Sequence, residues 1–279
     1  GTATNGTDYE TGAMTASIAN GESTAVITLV TTDDAEVEDT ETIEATISNA
    51  SEGTISTATA TADLVDDDAY VISIAQTTDG AEPDTNASFT VTLSPMNTSG
   101  TPITVDVAYA GTATNGTDYE TGAMTASIAD GESMAVITLL TTDDTLVEGD
   151  ESIDVTISNP SQGTISTAMA TANLADDDVY AISIDQTTDG AEPDVNASFT
   201  VSVTPANNTG NAITVDLAYA GTATSGTDYE AGPMMVSIPD GESEAVVTIV
   251  TTDDNDIEGD ESIEVTISNP SEGNISSPT

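Results

Sequence analysis

The sequence predicts an all-β protein of tandem antiparallel β-sandwich modules, each of immunoglobulin-like size. A ten-residue signature, Gly111–Glu120, is repeated unchanged at 1–10 and with one substitution at 221–230. The starts at residues 1, 111 and 221 set a repeat period of 110 residues, a domain length rather than the roughly 20–50 residues of a solenoid repeat. Each copy contains short segments of alternating apolar and polar residues, separated by turn residues about every 8–12 positions. No segment has helical periodicity.

Alternation predicts the first three strands of the complete copy. Tyr70–Ala75 is largely apolar, and Pro83, which cannot donate to a sheet ladder, interrupts pairing after it. Ala87–Leu93 places its aromatic and branched residues on one face. After a turn rich in Pro, Asn, Ser and Gly, Ile103–Tyr109 alternates in the same way.

The signature predicts a turn, and four more strands follow it. Gly111 and Gly116 suit positions with positive φ. Met124–Ala129 is a short strand that ends at the tight-turn pair Asp130-Gly131. Ala135–Leu140 is more continuously apolar, which predicts a central strand. Alternation resumes in the last two strands, Ile153–Ile157 and Ala168–Leu174.

The same landmarks predict three modules. Residues 1–69, the first copy, hold the C-terminal part of a module; residues 70–179, the middle copy, hold a complete module; and residues 180–279, the third copy, hold a module without its last strand. The linkers are a few residues long, which favours an extended string of modules. We expect the polypeptide to continue beyond Gly1 and Thr279, with another near-copy on each side.

The absence of basic side chains excludes several functions. The 279 residues include no Lys, Arg or His and 50 Asp or Glu, so the net charge is -50. Nothing can neutralise phosphates, which excludes nucleic-acid binding, and anionic membranes would repel the chain. Ser and Thr nucleophiles lack their usual His or Lys base. Carboxylate-pair chemistry such as glycoside hydrolysis stays open. Because the acids recur in every copy, we predict that the protein is not an enzyme.

Cysteine and membrane-spanning segments are also missing from the sequence. Without cysteine there are no disulfides and no thiolate metal sites. No apolar run approaches the roughly 18–20 residues that span a bilayer, so no membrane insertion is predicted for this segment. The abundance of Thr, Ser, Ala, Val and Ile is typical of strands with solvated outer faces and of long extracellular surface proteins.

Acidic residues are concentrated at predicted strand ends and loops. In the middle copy they are Glu82, Asp118, Asp143, Asp144, Glu148, Asp150, Glu151 and Asp176–Asp178. Loops at one pole of a sandwich converge, and close carboxylates repel by roughly 4 kcal/mol per pair at an effective dielectric near 20. Calcium, which takes about six to eight oxygen ligands, would relieve that repulsion. The alternative is that these residues are solvated loop acids without an ion.

At these residues the sequence resembles the Calx-beta module. The motifs are Gly-Thr-Ala-x-x-Gly-x-Asp-Tyr, Gly-Glu-x before an apolar strand, Asp-Asp-x-x-x-Glu-x-Asp-Glu, and a strand ending in Asp-Asp-Asp. This module is the regulatory calcium-binding unit of sodium–calcium exchangers and also occurs in integrin β4 and in long microbial and matrix surface proteins. The resemblance covers the entire chain and implies a seven-stranded sandwich with calcium bound in its distal loops.

The resemblance also implies calcium ligands in all three copies. In the middle copy they are Glu82, Asp118, Asp143, Asp144, Glu148, Glu151, Asp176, Asp177 and Asp178. In the first copy they are Asp8, Asp33, Asp34, Glu38, Glu41, Asp66, Asp67 and Asp68. In the third copy they are Glu192, Asp228, Asp253, Asp254, Glu258 and Glu261. The first copy lacks the early Glu, and the third copy lacks the Asp triplet.

Near-identical repetition favours a structural function. We expect a segment of a long extracellular or cell-surface fibre, filament or adhesin stalk, rigidified by calcium at acidic loop clusters near the module junctions. The expected partners are neighbouring copies of the module in a longer array and, through lateral self-association, other chains in a filament. The alternative is a calcium-sensing regulatory region of a membrane transporter or receptor.

Overall fold

The computed structural model describes residues 1–253, 255 and 257–279. The chain divides into two compact units. The first comprises residues 1–80, 86–140 and 152–173, and the second comprises residues 81–85, 141–151 and 174–279. The described residues form β-strands and no helix, which confirms the all-β prediction. No described segment is a helix of the length and apolar character that crossing a membrane requires.

Eleven strands cover the first and middle copies. They are β1 (Glu41–Thr46), β2 (Thr59–Leu64), β3 (Val71–Thr78), β4 (Gly80–Ala81), β5 (Ala87–Ser94), β6 (Ile103–Gly111), β7 (Thr125–Ile128), β8 (Met134–Leu139), β9 (Glu151–Ser158), β10 (Thr164–Thr167) and β11 (Met169–Ala175). In the first copy, β1 and β2 form a two-stranded sheet. In the middle copy, β10-β3-β5-β8 form one sheet and β4-β11-β9-β6-β7 form the other.

The described residues of the third copy form seven strands. They are β12 (Ala181–Thr188), β13 (Ala197–Thr204), β14 (Ile213–Gly221), β15 (Met235–Ile238), β16 (Glu244–Ile249), β17 (Ile263–Ser268) and β18 (Asn274–Ser277). Their two sheets have the orders β16-β13-β12-β18 and β15-β14-β17. The strand order matches that of the middle copy, apart from the counterparts of β4 and β11.

The alternation of apolar residues places one face of each sheet in a core. In the third copy, Phe199 and Val201 of β13 and Val215 and Leu217 of β14 belong to a single buried cluster. In the middle copy, alternate residues of β5 and β6 are buried in the same way. Period-2 burial therefore explains why the sequence pattern located these strands correctly.

The sandwich is mainly antiparallel, as predicted, but one strand in each of the last two copies pairs parallel to its neighbour. β10 pairs parallel to β3, with Thr164 opposite Val71 and Ile165 opposite Ile72. β18 pairs parallel to β12 in the same register. Both strands are four residues long, and none of their residues is fully buried. So short a polar segment carries no alternation strong enough to predict a strand, and its direction follows from the chain crossing between sheets.

The prediction that Ala135–Leu140 forms a central strand is wrong. This segment forms β8, which lies at the edge of its sheet beside β5 only. Met134 and Val136 point outward and are 54% and 61% exposed, whereas Ile137 and Leu139 are buried. The apolar run is therefore an alternating edge strand whose outer face is also apolar.

Glycines set the turns that link these strands. Gly111 and Gly116 have φ values of 121° and 89°, as the signature predicts. A Cβ on Gly111 would lie 2.1 Å from the carbonyl oxygen of Ser152, so β6 and β9 approach too closely for any side chain. Gly131 also has positive φ, in a turn that carries the chain from β7 to β8. Because β7 and β8 belong to different sheets, this turn joins the two layers and is not a hairpin.

Candidate metal centre

The aspartate of the signature has the same backbone environment in each copy. The Oδ2 atoms of Asp8, Asp118 and Asp228 each accept a hydrogen bond from the backbone N–H of the threonine four residues earlier. Their own N–H groups donate back to the carbonyl oxygen of that threonine, at 3.0 Å in all three cases. The turn thus fixes the carboxylate with its second oxygen directed away from the turn.

Burial makes this second oxygen a candidate metal ligand. Asp8 and Asp118 are only 6% and 3% exposed. Among the described residues, Asp118 Oδ1 and Asp228 Oδ1 are buried and accept no hydrogen bond. An unpaired buried carboxylate oxygen is costly, and a cation would satisfy it. In the first copy, burial, followed by a hydrogen bond with Asp8, raises the pKa of Glu41.

The first member of the aspartate triplet, Asp176–Asp178, is hydrogen-bonded to the acidic loop, residues 141–150, which precedes β9. Asp176 Oδ2 accepts hydrogen bonds from the N–H groups of Glu148 and Gly149, both at 2.8 Å, and its Oδ1 accepts one from Asp178 at 2.9 Å. Burial raises the pKa of Asp176, but these three donors outweigh burial and lower it overall. Asp66 makes the equivalent bonds to Glu38 at 2.7 Å and Asp68 at 3.1 Å in the first copy.

Carboxylate oxygens converge around this anchor in the second unit. Oxygens of Glu82, Asp143 and Asp177 lie within 4.8 Å of one another, and so do those of Glu82, Asp176 and Asp178. Glu82 is held beside the triplet because its N–H donates to the carbonyl oxygen of Ala175 at 3.0 Å. One residue thus belongs to two oxygen clusters, which is an arrangement suited to neighbouring cations.

The carboxylates of these clusters have no basic side chain to compensate their charge. Burial, followed by repulsion from Asp144 and the triplet, raises the pKa of Glu82 to about 7. Burial and repulsion from Asp176 and Asp177 raise the pKa of Asp178 as well. With no Lys, Arg or His in the chain, only a bound cation or protons can compensate these carboxylates. Oxygen-only ligands in irregular loops fit calcium.

The first copy brings all of its predicted ligands to one place. A cavity of about 160 Å³ is lined by nine carboxylate residues, namely Asp8, Asp33, Asp34, Glu38, Asp39, Glu41, Asp66, Asp67 and Asp68. Eight of these are the predicted set, and Asp39 is an addition that sequence reasoning missed. Asp39 replaces the residue that is Gly149 in the middle copy. No sequence motif marks Asp39 as a ligand. The fold of the loop places it in the wall of the cavity.

The third copy has a more open site. Glu192, Asp228, Glu258 and Glu261 line a cavity of about 770 Å³, together with Asp260. A hydrogen bond with Asp228, with burial, raises the pKa of Glu261. Asp253 is exposed, and the predicted ligand Asp254 lies outside the described residues.

Three predicted ligands of the middle copy, Asp144, Glu148 and Glu151, lie in the loop after β8 and at the start of β9. Asp144 Oδ1 accepts a hydrogen bond from Leu146 N–H at 2.7 Å, which stabilises the loop as an Asx turn. Glu151 is the first residue of β9 and is half-buried. Sequence reasoning identified these acids by type, but it missed that Asp144 and Asp176 also hold the loop backbone.

Comparison with known proteins assigns the family. The sequence profile of the Calx-beta domain matches residues 1–68, 65–178 and 175–278. The chain belongs to the Calx-beta family. Calx-beta domains bind calcium, in agreement with the predicted ion. No match to the chain was found among curated proteins.

Solved structures similar to this chain include domains of CALX and Calx. A crystal structure of CBD12 from CALX1.2 is 21% identical over 72% of this chain and 80% of that one, with a TM-score of 0.34. The calcium binding domain CBD12 of CALX1.1 is 20% identical over 71% of this chain and 80% of that one, with a TM-score of 0.33. The apo-form Calx CBD1 domain is 21% identical over 40% of this chain and all of that one, with a TM-score of 0.33. The family assignment rests on the sequence profile.

Proposed function

We propose that this chain is a structural segment of a long extracellular or cell-surface fibre or adhesin stalk, and that calcium stiffens it. The observation that carries the proposal is the hydrogen bonding of Asp176 to Glu148 and Gly149, which joins the acidic loop to the triplet. Tyr180, the first core residue of the third copy, follows only two residues after Asp178. An ion at the triplet therefore restricts the backbone from which the next module begins.

The amino-acid composition supports a structural function for this chain. The net charge of -50 must be compensated, and millimolar extracellular calcium supplies counterions at the sites where carboxylates are closest. The signature and most of the loop acids recur in each copy, which favours repeated cation binding over a distinct activity in each module. Lateral association of such segments into filaments is part of this proposal.

Small-angle X-ray scattering on the 279-residue chain tests the proposal. We expect a larger maximum dimension and a narrower distribution of dimensions in calcium than in chelator, because ordered junctions extend the string of modules. Magnesium at the same ionic strength is the control for general screening of charge. Equal dimensions in calcium, magnesium and chelator would overturn the stiffening proposal.

Calcium affinity separates this proposal from a calcium-sensing regulatory region. Among EF-hand calcium loops, extracellular modules have dissociation constants of about 10⁻⁴–10⁻³ M and intracellular sensors about 10⁻⁷–10⁻⁵ M, and we expect the same division by function here. Isothermal titration of the chain gives the constant directly. A value in the structural range supports the fibre, and a value in the sensor range favours a sensor.

A further inference from the structure

Val147 lies in the acidic loop of the middle copy, but its side chain packs against the third copy. It is three residues after Asp144 and directly precedes Glu148. Its side chain is partly buried and contacts the core cluster of the third copy, which includes Tyr180, Ile182 and Phe199. A predicted cation-binding loop thus contributes an apolar side chain to the core of the next module.

The backbone on both sides of Val147 is held by predicted calcium ligands. Leu146 N–H donates to Asp144 Oδ1 at 2.7 Å, and Glu148 N–H donates to Asp176 Oδ2 at 2.8 Å. Any change in the position of these two carboxylates therefore moves the backbone that carries Val147. The neighbouring side chain of Leu146 is 42% exposed, so the anchor is specific to one position of the loop.

The other copies offer an internal comparison. Val37 occupies this position in the first copy and is also partly buried. Ile257 occupies it in the third copy and is fully exposed at 102%. An apolar side chain therefore occupies this position in all three copies, and its burial differs between them.

We propose that Val147 docks the acidic loop onto the third module and transmits calcium binding in the middle copy to the stability of its neighbour. The third module presents the docking surface, and its partner is the Val or Ile of the preceding Calx-beta loop. Calcium that orders Asp144 and Asp176 holds the side chain in place, so the third module unfolds less often. This inference rests on the calcium binding proposed above.

Hydrogen exchange on the full chain tests this coupling. The third copy's own site is first weakened by Asp228→Asn and Glu261→Gln, so that calcium acts on this module only through the middle copy. In this background, calcium should slow exchange in β12 and β13 by about fivefold relative to chelator, the gain expected from ordering a half-buried valine contact. Val147→Ser should abolish that gain, and Leu146→Ser is the matched control that should retain it.

Titration calorimetry on the same variants distinguishes the possible failures. Val147→Ser should bind calcium in the middle copy within about twofold of the parent, because its side chain is not a ligand. If calcium binds and Val147→Ser retains the full gain in protection, the coupling is overturned while calcium binding stands. If no calcium binds to the parent, both proposals are overturned. Val147→Ile, which keeps the apolar contact, should behave as the parent does.

Discussion

Asp176 accepts a hydrogen bond from the backbone N–H of Glu148 through Oδ2, at 2.8 Å. The bond joins residues that are 28 positions apart, on either side of β9 and β11. Because Asp176 also accepts from Gly149 and Asp178, the carboxylate is an acceptor for three backbone N–H groups. The loop and the triplet therefore form one structural unit, and the predictions below depend on it.

Replacing Asp176 should destabilise the chain in the absence of calcium. Asp176→Ala leaves three backbone N–H groups without their acceptor, which costs about 1–3 kcal/mol. Asp177→Ala removes a carboxylate from the same crowded triplet and should leave apo stability unchanged or raise it. Urea unfolding in chelator, followed by circular dichroism, compares the two. Equal losses for both variants would mean that Asp176 has no anchoring role.

Calcium should raise the melting temperature of the chain. An ion bound only by the folded state adds about 2.7 kcal/mol at a hundredfold excess over its dissociation constant. Calorimetric melting in calcium and in chelator at low salt measures the shift, with magnesium as the control for charge screening. A melting temperature that calcium leaves unchanged would contradict the assignment of the metal sites.

Loop carboxylates should matter more for calcium binding than strand carboxylates do. Asp143→Asn combined with Asp144→Asn removes two charges next to Glu82 and should weaken binding by at least tenfold, a difference of about 1.4 kcal/mol. Asp106 lies in β6 and accepts a hydrogen bond from Asn159, which an amide oxygen can also accept. Asp106→Asn should therefore leave affinity unchanged in a calcium titration. Similar losses would indicate diffuse charge rather than a site.

Calcium binding should weaken as the pH falls through neutrality. Burial and neighbouring carboxylates raise the pKa of Glu82 from 4.5 to about 7, so the apo fold favours the protonated form. Without calcium, the stability that Glu82 contributes is fully present below pH 4.5 and is lost as the pH rises through about 7. Calcium binds the ionised form of Glu82, so calcium affinity should rise as the pH rises through about 7.

Titrations at pH 6 and pH 8 measure this linkage. One proton released from a group with a pKa near 7 makes binding about tenfold weaker at pH 6 than at pH 8. Glu82→Gln should bind calcium less tightly at pH 8 and should lose most of the pH dependence. A pH dependence that survives this change in full would assign the proton to another carboxylate, such as Asp178.

Two substitutions at Asp118 should separate folding from ion binding. Asp118→Asn keeps an oxygen that can accept from Thr114 N–H, so the signature turn and the unfolding midpoint in chelator should be retained. Asp118→Ala removes the acceptor of that partly buried hydrogen bond and should cost about 1 kcal/mol. Both variants should bind calcium more weakly than the parent. Destabilisation of equal size in chelator would show that charge, not the hydrogen bond, supports the turn.

Local patterns were sufficient to predict most of the fold. Alternation located the strands around Phe89, Val105 and Val155 because burial with a period of two requires only a sheet with one face in a core. The recurrence of acidic residues at strand ends predicted which residue types meet, since loops at one pole of a sandwich converge. The positive φ values of Gly111 and Gly116 also followed from residue type.

Tertiary structure decided what depends on partners distant in sequence. β8 is an edge strand because no strand pairs beyond it, and an apolar sequence alone cannot distinguish an edge from a centre. The parallel pairing of β10 depends on β3, which lies almost a whole module earlier. Asp176 became a backbone anchor, and Val147 a contact of the next module, through residues that share no local pattern with them. The sequence by itself determined the modules, their strands and their acids, whereas long-range contacts determined the role of each residue.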